Sequence, residues 1–226
     1  MNVLYLAVLI IVVIVIWSVM KSRRRSDEER PASASEPPDG VQNRSEEAPV
    51  SRKLSVKDLR PGGMVQLTGG LEVGFLEVDY TVEGRNRYVA DGDEWFELKL
   101  MDGSGNALWL EWEEDDELEI SVTTSKKELT LSDLGLSKAM LEEFDEEEEG
   151  HFVYEERNFV YEESDKARFY RDCAGEGESF YYWDFADKGG DGIIGVERWG
   201  SGEYEISIGR RISERDLTIF RAAGDE

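Results

Sequence analysis

The chain has 226 residues, with 51 Asp and Glu against 26 Lys and Arg and a formal net charge of −25. Such a field repels phosphate backbones and attracts cations, so it argues against nucleic acid as a partner; with 40% apolar and 11% aromatic residues the chain can still bury a core. A single cysteine, Cys173, removes an intramolecular disulfide or a thiolate cluster, and a single histidine, His151, removes the His pairs that zinc sites and triads use.

Val3 to Met20 carry no charge, and Lys21, Arg23, Arg24 and Arg25 follow at once. At about 1.5 Å per residue this stretch makes roughly 27 Å of helix, enough for the hydrocarbon core of a bilayer. Trp17 and the basic flank would lie at the interface. The stretch lacks a basic leader, and the small-x-small tripeptide Ala32-Ser33-Ala34 lies too far beyond it to be a cleavage site. Residues 1–25 are therefore expected to be an uncleaved anchor in the lipid bilayer of the cell membrane. The basic flank puts the N-terminus outside and the C-terminal domain in the cytoplasm. Residues 26–53 are rich in Ser, Pro, Glu and Ala and read as a flexible linker.

Residues 54–222 form the expected domain, acidic and β-rich. It opens with Ser55-Val56-Lys57-Asp58-Leu59, where Ser55 and Asp58 have the spacing of a reciprocal cap, and Pro61-Gly62-Gly63 ends the turn. The device recurs at Ser213-Glu214-Arg215-Asp216-Leu217, bracketing the fold. Between the brackets the apolar period is two: Phe96, Leu98 and Leu100, then Leu108, Leu110 and Trp112, then Leu118, Ile120 and Val122. Each run reads as a half-buried strand, with Asp-Gly and acidic turns between them. One helix is expected from Ser137 to about Glu148, capped by Ser137 and stapled by Leu136 and Leu141. Two copies of Phe-Val-Tyr-Glu-Glu, at Phe152 and Phe159, flank Arg157-Asn158. A hairpin turning at Arg157-Asn158 would pair Tyr154 with Tyr161. Further strands are expected at 167–171, 179–185, 193–199 and 203–208. The fold class is mainly β: an antiparallel meander, barrel-like or a sandwich, with about ten strands and one short helix, preceded by the transmembrane helix.

Asp187 to Glu197 approaches a calcium loop, with acids at the first and fifth positions and Gly192 at the sixth. Gly189 takes the third position and Glu197 comes one place early, and the same residues also suit a tight hairpin. If the loop holds a metal, the ligands are Asp187, Asp191 and Glu197 and the ion is calcium; no other cofactor is expected. The acids from Glu111 to Glu117 form a contiguous run, which is not the pair of differing environments that carboxylate catalysis needs. No catalytic residue is assigned.

Several segments together resemble a domain family of unknown function, DUF4178. They are Leu59 with Gly62-Gly63, Trp95-Phe96-Glu97-Leu98-Lys99-Leu100, Trp109-Leu110, Ala167 to Tyr170, Gly175-Glu176-Gly177-Glu178 and Tyr182-Trp183-Asp184-Phe185. Gly63 departs from the Gly-Asp that the family often has at Gly62-Gly63. The resemblance implies a β-rich domain without an established activity, in proteins often tied to membranes and sometimes encoded beside polyamine-synthase-like genes. The expected function is a membrane-tethered, non-catalytic binding or adaptor module, engaging a protein partner or a cationic small molecule through an acidic β surface. The alternative is a metal- or polyamine-dependent enzyme or sensor using the carboxylates of the second half.

Overall fold

The computed structural model describes residues 53–68, 77–125 and 128–223. The anchor, its flank of Trp17, Lys21, Arg23, Arg24 and Arg25, and nearly all of the linker lie outside the described residues. Among the described residues no helix is long and apolar enough to cross a membrane.

Five strands come first: β1 (Met64–Leu67), β2 (Val78–Ala90), β3 (Asp93–Asp102), β4 (Ala107–Glu114) and β5 (Leu118–Ser125). A helix, α1 (Lys138–Glu147), precedes six more: β6 (His151–Tyr154), β7 (Arg157–Tyr170), β8 (Glu178–Asp187), β9 (Gly192–Trp199), β10 (Tyr204–Ile212) and β11 (Leu217–Arg221). They make one antiparallel sheet in the order β11-β1-β2-β3-β4-β5-β10-β9-β8-β7-β6, in which β2 also pairs with β7. That extra pairing, Arg87–Val89 against Arg168–Tyr170, closes β2 round to β7 into a ring of eight strands. Of the two alternatives, the barrel is the one observed.

Closure depends on β2 and β7 being long and bent. β2 pairs its first four residues, Val78 to Thr81, with β1 and Arg87 to Val89, near its end, with β7. Irregularities between Val82 and Gly84 and between Tyr161 and Glu163 supply the bends, the usual effect of a bulged residue. At the other seam β5 and β10 run so close at Gly209 that an added Cβ would clash with the Val122 carbonyl oxygen.

Alternation then assigns each strand two faces. On the first half, Leu98, Leu100, Leu108, Leu110, Ile120 and Val122 join Val65, Leu67 and Leu217 in one core. On the second half, Phe159, Trp183, Phe185, Ile194, Val196 and Ile206 join Leu141 and Phe144 of α1 in another. The two S-x-x-D-L brackets meet: Leu59 and Leu217 share the first core, and the Ser55 hydroxyl donates to Glu214 at 2.9 Å. In each bracket the acid accepts the capping serine's N–H, at 2.9 Å in one and 2.8 Å in the other. A third copy, Thr130-Leu131-Ser132-Asp133-Leu134, uses the same device before α1.

Ser137 caps α1 by accepting from the Met140 N–H at 3.3 Å, and both staple residues, Leu136 and Leu141, are buried. The helix is pinned to the sheet by the Trp183 indole, which donates to the Leu141 carbonyl at 3.0 Å. Trp183→Phe removes that bond and ring volume, and is expected to lower stability by about 1–3 kcal/mol in urea denaturation. A change within about 0.5 kcal/mol, the range of ordinary surface substitutions, would contradict this.

The strands around the Phe-Val-Tyr-Glu-Glu repeat differ from expectation. The turn is Glu155-Glu156, both with positive φ, and Tyr154 faces Arg157 rather than Tyr161. This register sets Phe152 opposite Phe159, ring centroids 5.7 Å apart, with both in the second core. Pairing of two large apolar rings outweighs the poor fit of glutamate to left-handed backbone.

Candidate functional site

The face of the ring opposite the two cores surrounds a cavity of about 1340 Å³, to which all eight ring strands contribute residues. This exceeds the roughly 300–1,000 Å³ of ordinary small-molecule pockets. Seventeen carboxylate side chains line it against two arginines, Arg171 and Arg211, so a cation is the charge complement it lacks.

Register places like charges directly against each other. Glu97 faces Glu111, Glu113 faces Glu119, Glu163 faces Asp184 and Glu197 faces Glu205. Directly opposed residues have Cβ atoms about 4.5–5.5 Å apart, and like charges there are destabilising. Both members of three of these pairs are in no ion pair among the described residues; Glu119 lies 4.0 Å from Arg211.

The consequence is electrostatic. Glu97, Glu111, Asp184 and Glu197 are half-buried by accessible area yet enclosed by protein on nearly every side, as groups inside a water-reached lumen must be. Burial, then the charges of Glu163 and Glu162, push the Asp184 carboxyl up to about 7, with Arg211 pulling the other way. Burial, then Glu97, Glu205 and Asp184, push Glu197 up to about 8, although the Trp199 indole donates to it at 3.1 Å. Glu111 is pushed well above the carboxylate range by burial and then by Asp184, Glu97 and Glu197. Glu97 is raised by burial and held back by the Asn86 amide, which donates to it at 2.9 Å.

Aromatic rings form the wall at the β2–β7 closure. Tyr88 stacks on Trp95 at 5.2 Å, Trp95 meets the edge of Tyr182 at 5.7 Å, and Phe180 stacks on Trp199 at 4.7 Å. Trp109, half-buried, lines the opposite side. Ser121 sits on the cavity face of β5, directly across from Glu111, with 8% of its surface exposed and its hydroxyl without a hydrogen-bond partner among the described residues.

The family model for a domain of unknown function, DUF4178, matches residues 69–214. The chain belongs to the DUF4178 family. No curated protein and no solved structure matches the chain. The match takes in every ring strand, whereas Leu59 and Gly62-Gly63 precede it.

Within this DUF4178 domain the calcium-loop residues are separated by the β8–β9 turn. Asp187 ends β8 and accepts the Gly189 N–H at 3.3 Å, Asp191 accepts from Arg210 at 3.0 Å, and Glu197 lies along β9 in the lumen. Among the described residues no group of three His, Cys, Asp or Glu side chains is placed to hold a metal ion. The acidic run divides by face: Glu111 and Glu113 enter the lumen as half-buried groups, and Asp115, Asp116 and Glu117 form an exposed turn at its rim. His151 is exposed on β6. Glu163, Asp184 and Glu205 carry no separate sequence signal. Asp184 and Glu205 are single polar places between apolar neighbours, and Glu163 follows another acid; such places read as solvent-facing until ring closure turns that face inward.

Proposed function

We propose that this domain is a non-catalytic module that binds a small organic cation inside its barrel, held to the cytoplasmic face of the cell membrane by the N-terminal segment. The observation that carries the reading is the set of opposed carboxylate pairs facing one aromatic-walled cavity. Binding a cation between opposed carboxylates relieves their repulsion, and rings such as Trp95 and Trp109 favour ammonium or guanidinium groups over bare metal ions. Polyamines are the ligand class that best fits this chemistry. The carboxyls do not resemble an acid–base couple, because burial and mutual repulsion push Glu97, Glu111, Asp184 and Glu197 in the same direction rather than apart.

The test is titration of the full-length chain with spermidine, arginine, calcium and magnesium, followed by tryptophan fluorescence at about physiological ionic strength. Saturable binding of an organic cation in preference to either metal is expected. Tighter binding of a metal, or no response to any organic cation, would sink the reading. A protein partner presenting a lysine or arginine to the cavity mouth would show as competition with the bound amine.

A further inference from the structure

The carboxylates of the lumen fall into two tiers. In the first, Glu97 and Glu111 on one wall and Glu197 and Glu205 on the other act on one another, as the mutual effects of Glu97, Glu197 and Glu205 show. In the second, Glu113 and Glu119 face Glu163 and Asp184, with Glu113 acting on Asp184 and Glu163 acting on Glu113. Asp184 also acts on Glu111 and Glu197, so it stands between the tiers. Glu111 and Glu113 occupy successive cavity-facing places on β4, and a two-residue rise is about 7 Å. Ser121, opposite Glu111, offers an unmade hydrogen bond at the first tier.

We infer that the lumen selects a linear ion with an ammonium group at each end, one seated in each carboxylate tier and the methylene chain lying along the aromatic wall. A single cation could neutralise one tier only; Arg211, bonded to Glu162 and 4.0 Å from Glu119, is the positive charge beside the second tier and leaves Glu113, Glu163 and Asp184 still raised. A chain of about four or five methylenes spans the two-residue rise; shorter chains reach one tier, and longer ones must fold. The Ser121 hydroxyl accepts from the ammonium group of the first tier, an interaction that no described residue supplies. With two tiers occupied, the ligand gains from both ends without a second association event.

This inference rests on the cation reading, and the experiment separates the two. Calorimetric titration of the full-length chain at constant pH and ionic strength compares butylamine with α,ω-diamines of increasing length. The best diamine is expected to bind about tenfold or more tighter than butylamine, with an optimum near four or five methylenes. Glu197→Gln in the first tier and Glu163→Gln in the second are each expected to reduce that diamine to about the affinity of butylamine, with a change of only about threefold for butylamine itself. Both variants are near-isosteric and remove repulsion, so unfolding curves check that each remains folded. Affinity without a length optimum, or no advantage of diamine over monoamine, overturns the two-tier inference and leaves the cation reading standing. Absence of binding by any amine overturns both.

Discussion

Raising the pH from about 6 to about 8.5 is expected to tighten organic-cation binding by roughly tenfold or more, because the cation replaces protons held in the lumen. Asp184 is pushed up to about 7, facing Glu163, Glu162, Glu113 and Arg211, and Glu197 up to about 8, facing Glu97, Glu205 and Asp184 beside the Trp199 indole. At the lower pH both hold protons, and the ligand must displace them. At the upper pH both are ionised and wait for a counter-charge.

Stability of the unliganded protein follows the opposite course. Both carboxyls bind protons more tightly folded than at their ordinary values of 3.8 and 4.5, so their contribution is fully present below those values. It is lost as the pH rises through about 7 for Asp184 and about 8 for Glu197. The thermal midpoint is expected to fall between pH 5 and pH 9 without ligand and to recover on addition of the cation at pH 9. The double variant Asp184→Asn, Glu197→Gln is expected to flatten both dependences, while His151→Gln, removing the one histidine from its exposed place on β6, leaves them intact. A pH-independent affinity in the native chain would contradict the proton-exchange account.

Much of the fold was legible along the chain. The alternation of Leu98, Leu100, Leu108 and Leu110 with Glu97, Lys99, Trp109 and Glu111 marks strands whose leucine faces lie in the first core, and the Ser137 cap begins α1 where it should. Eleven strands stand where about ten were expected: the stretches at Phe159 and at 167–171 are one strand, β7, while β1, β2 and β11 are additional, although Val78, Tyr80 and Val82 of β2 do alternate with polar residues. Their places come from partners distant in sequence: Met64 pairs with Arg221, and Val65 with Tyr80. The site was less legible for a related reason. A strand with acids on alternate places looks the same whether that face meets solvent or a lumen, and only the pairing of β2 with β7 decides. The repulsion between Glu197 and Glu205 is a property of register, which no single segment contains. Glu197, a candidate ligand of the calcium-like loop, lies on β9 among carboxylates from β3 and β10.

Adjacent residues on β4 are expected to respond with opposite signs. Leu110 is fully buried in the first core, and Leu110→Ala is expected to lower stability by about 2–5 kcal/mol, a large part of the roughly 5–15 kcal/mol typical of a domain. Glu111 points the other way, against Glu97 and within reach of Asp184 and Glu197. Burial among like charges disfavours its ionised form, so Glu111→Gln is expected to raise stability at pH 8 in cation-free buffer and to weaken amine binding. Urea denaturation of both variants, with and without spermidine, measures the two effects. Leu110→Ala should keep its affinity for the amine wherever it remains folded, since its side chain is on the far face. A loss of stability in Glu111→Gln comparable to that in Leu110→Ala would mean that the carboxylate holds the fold together, contrary to a site whose charges lie on the face away from the first and second cores and are strained against one another until a ligand arrives.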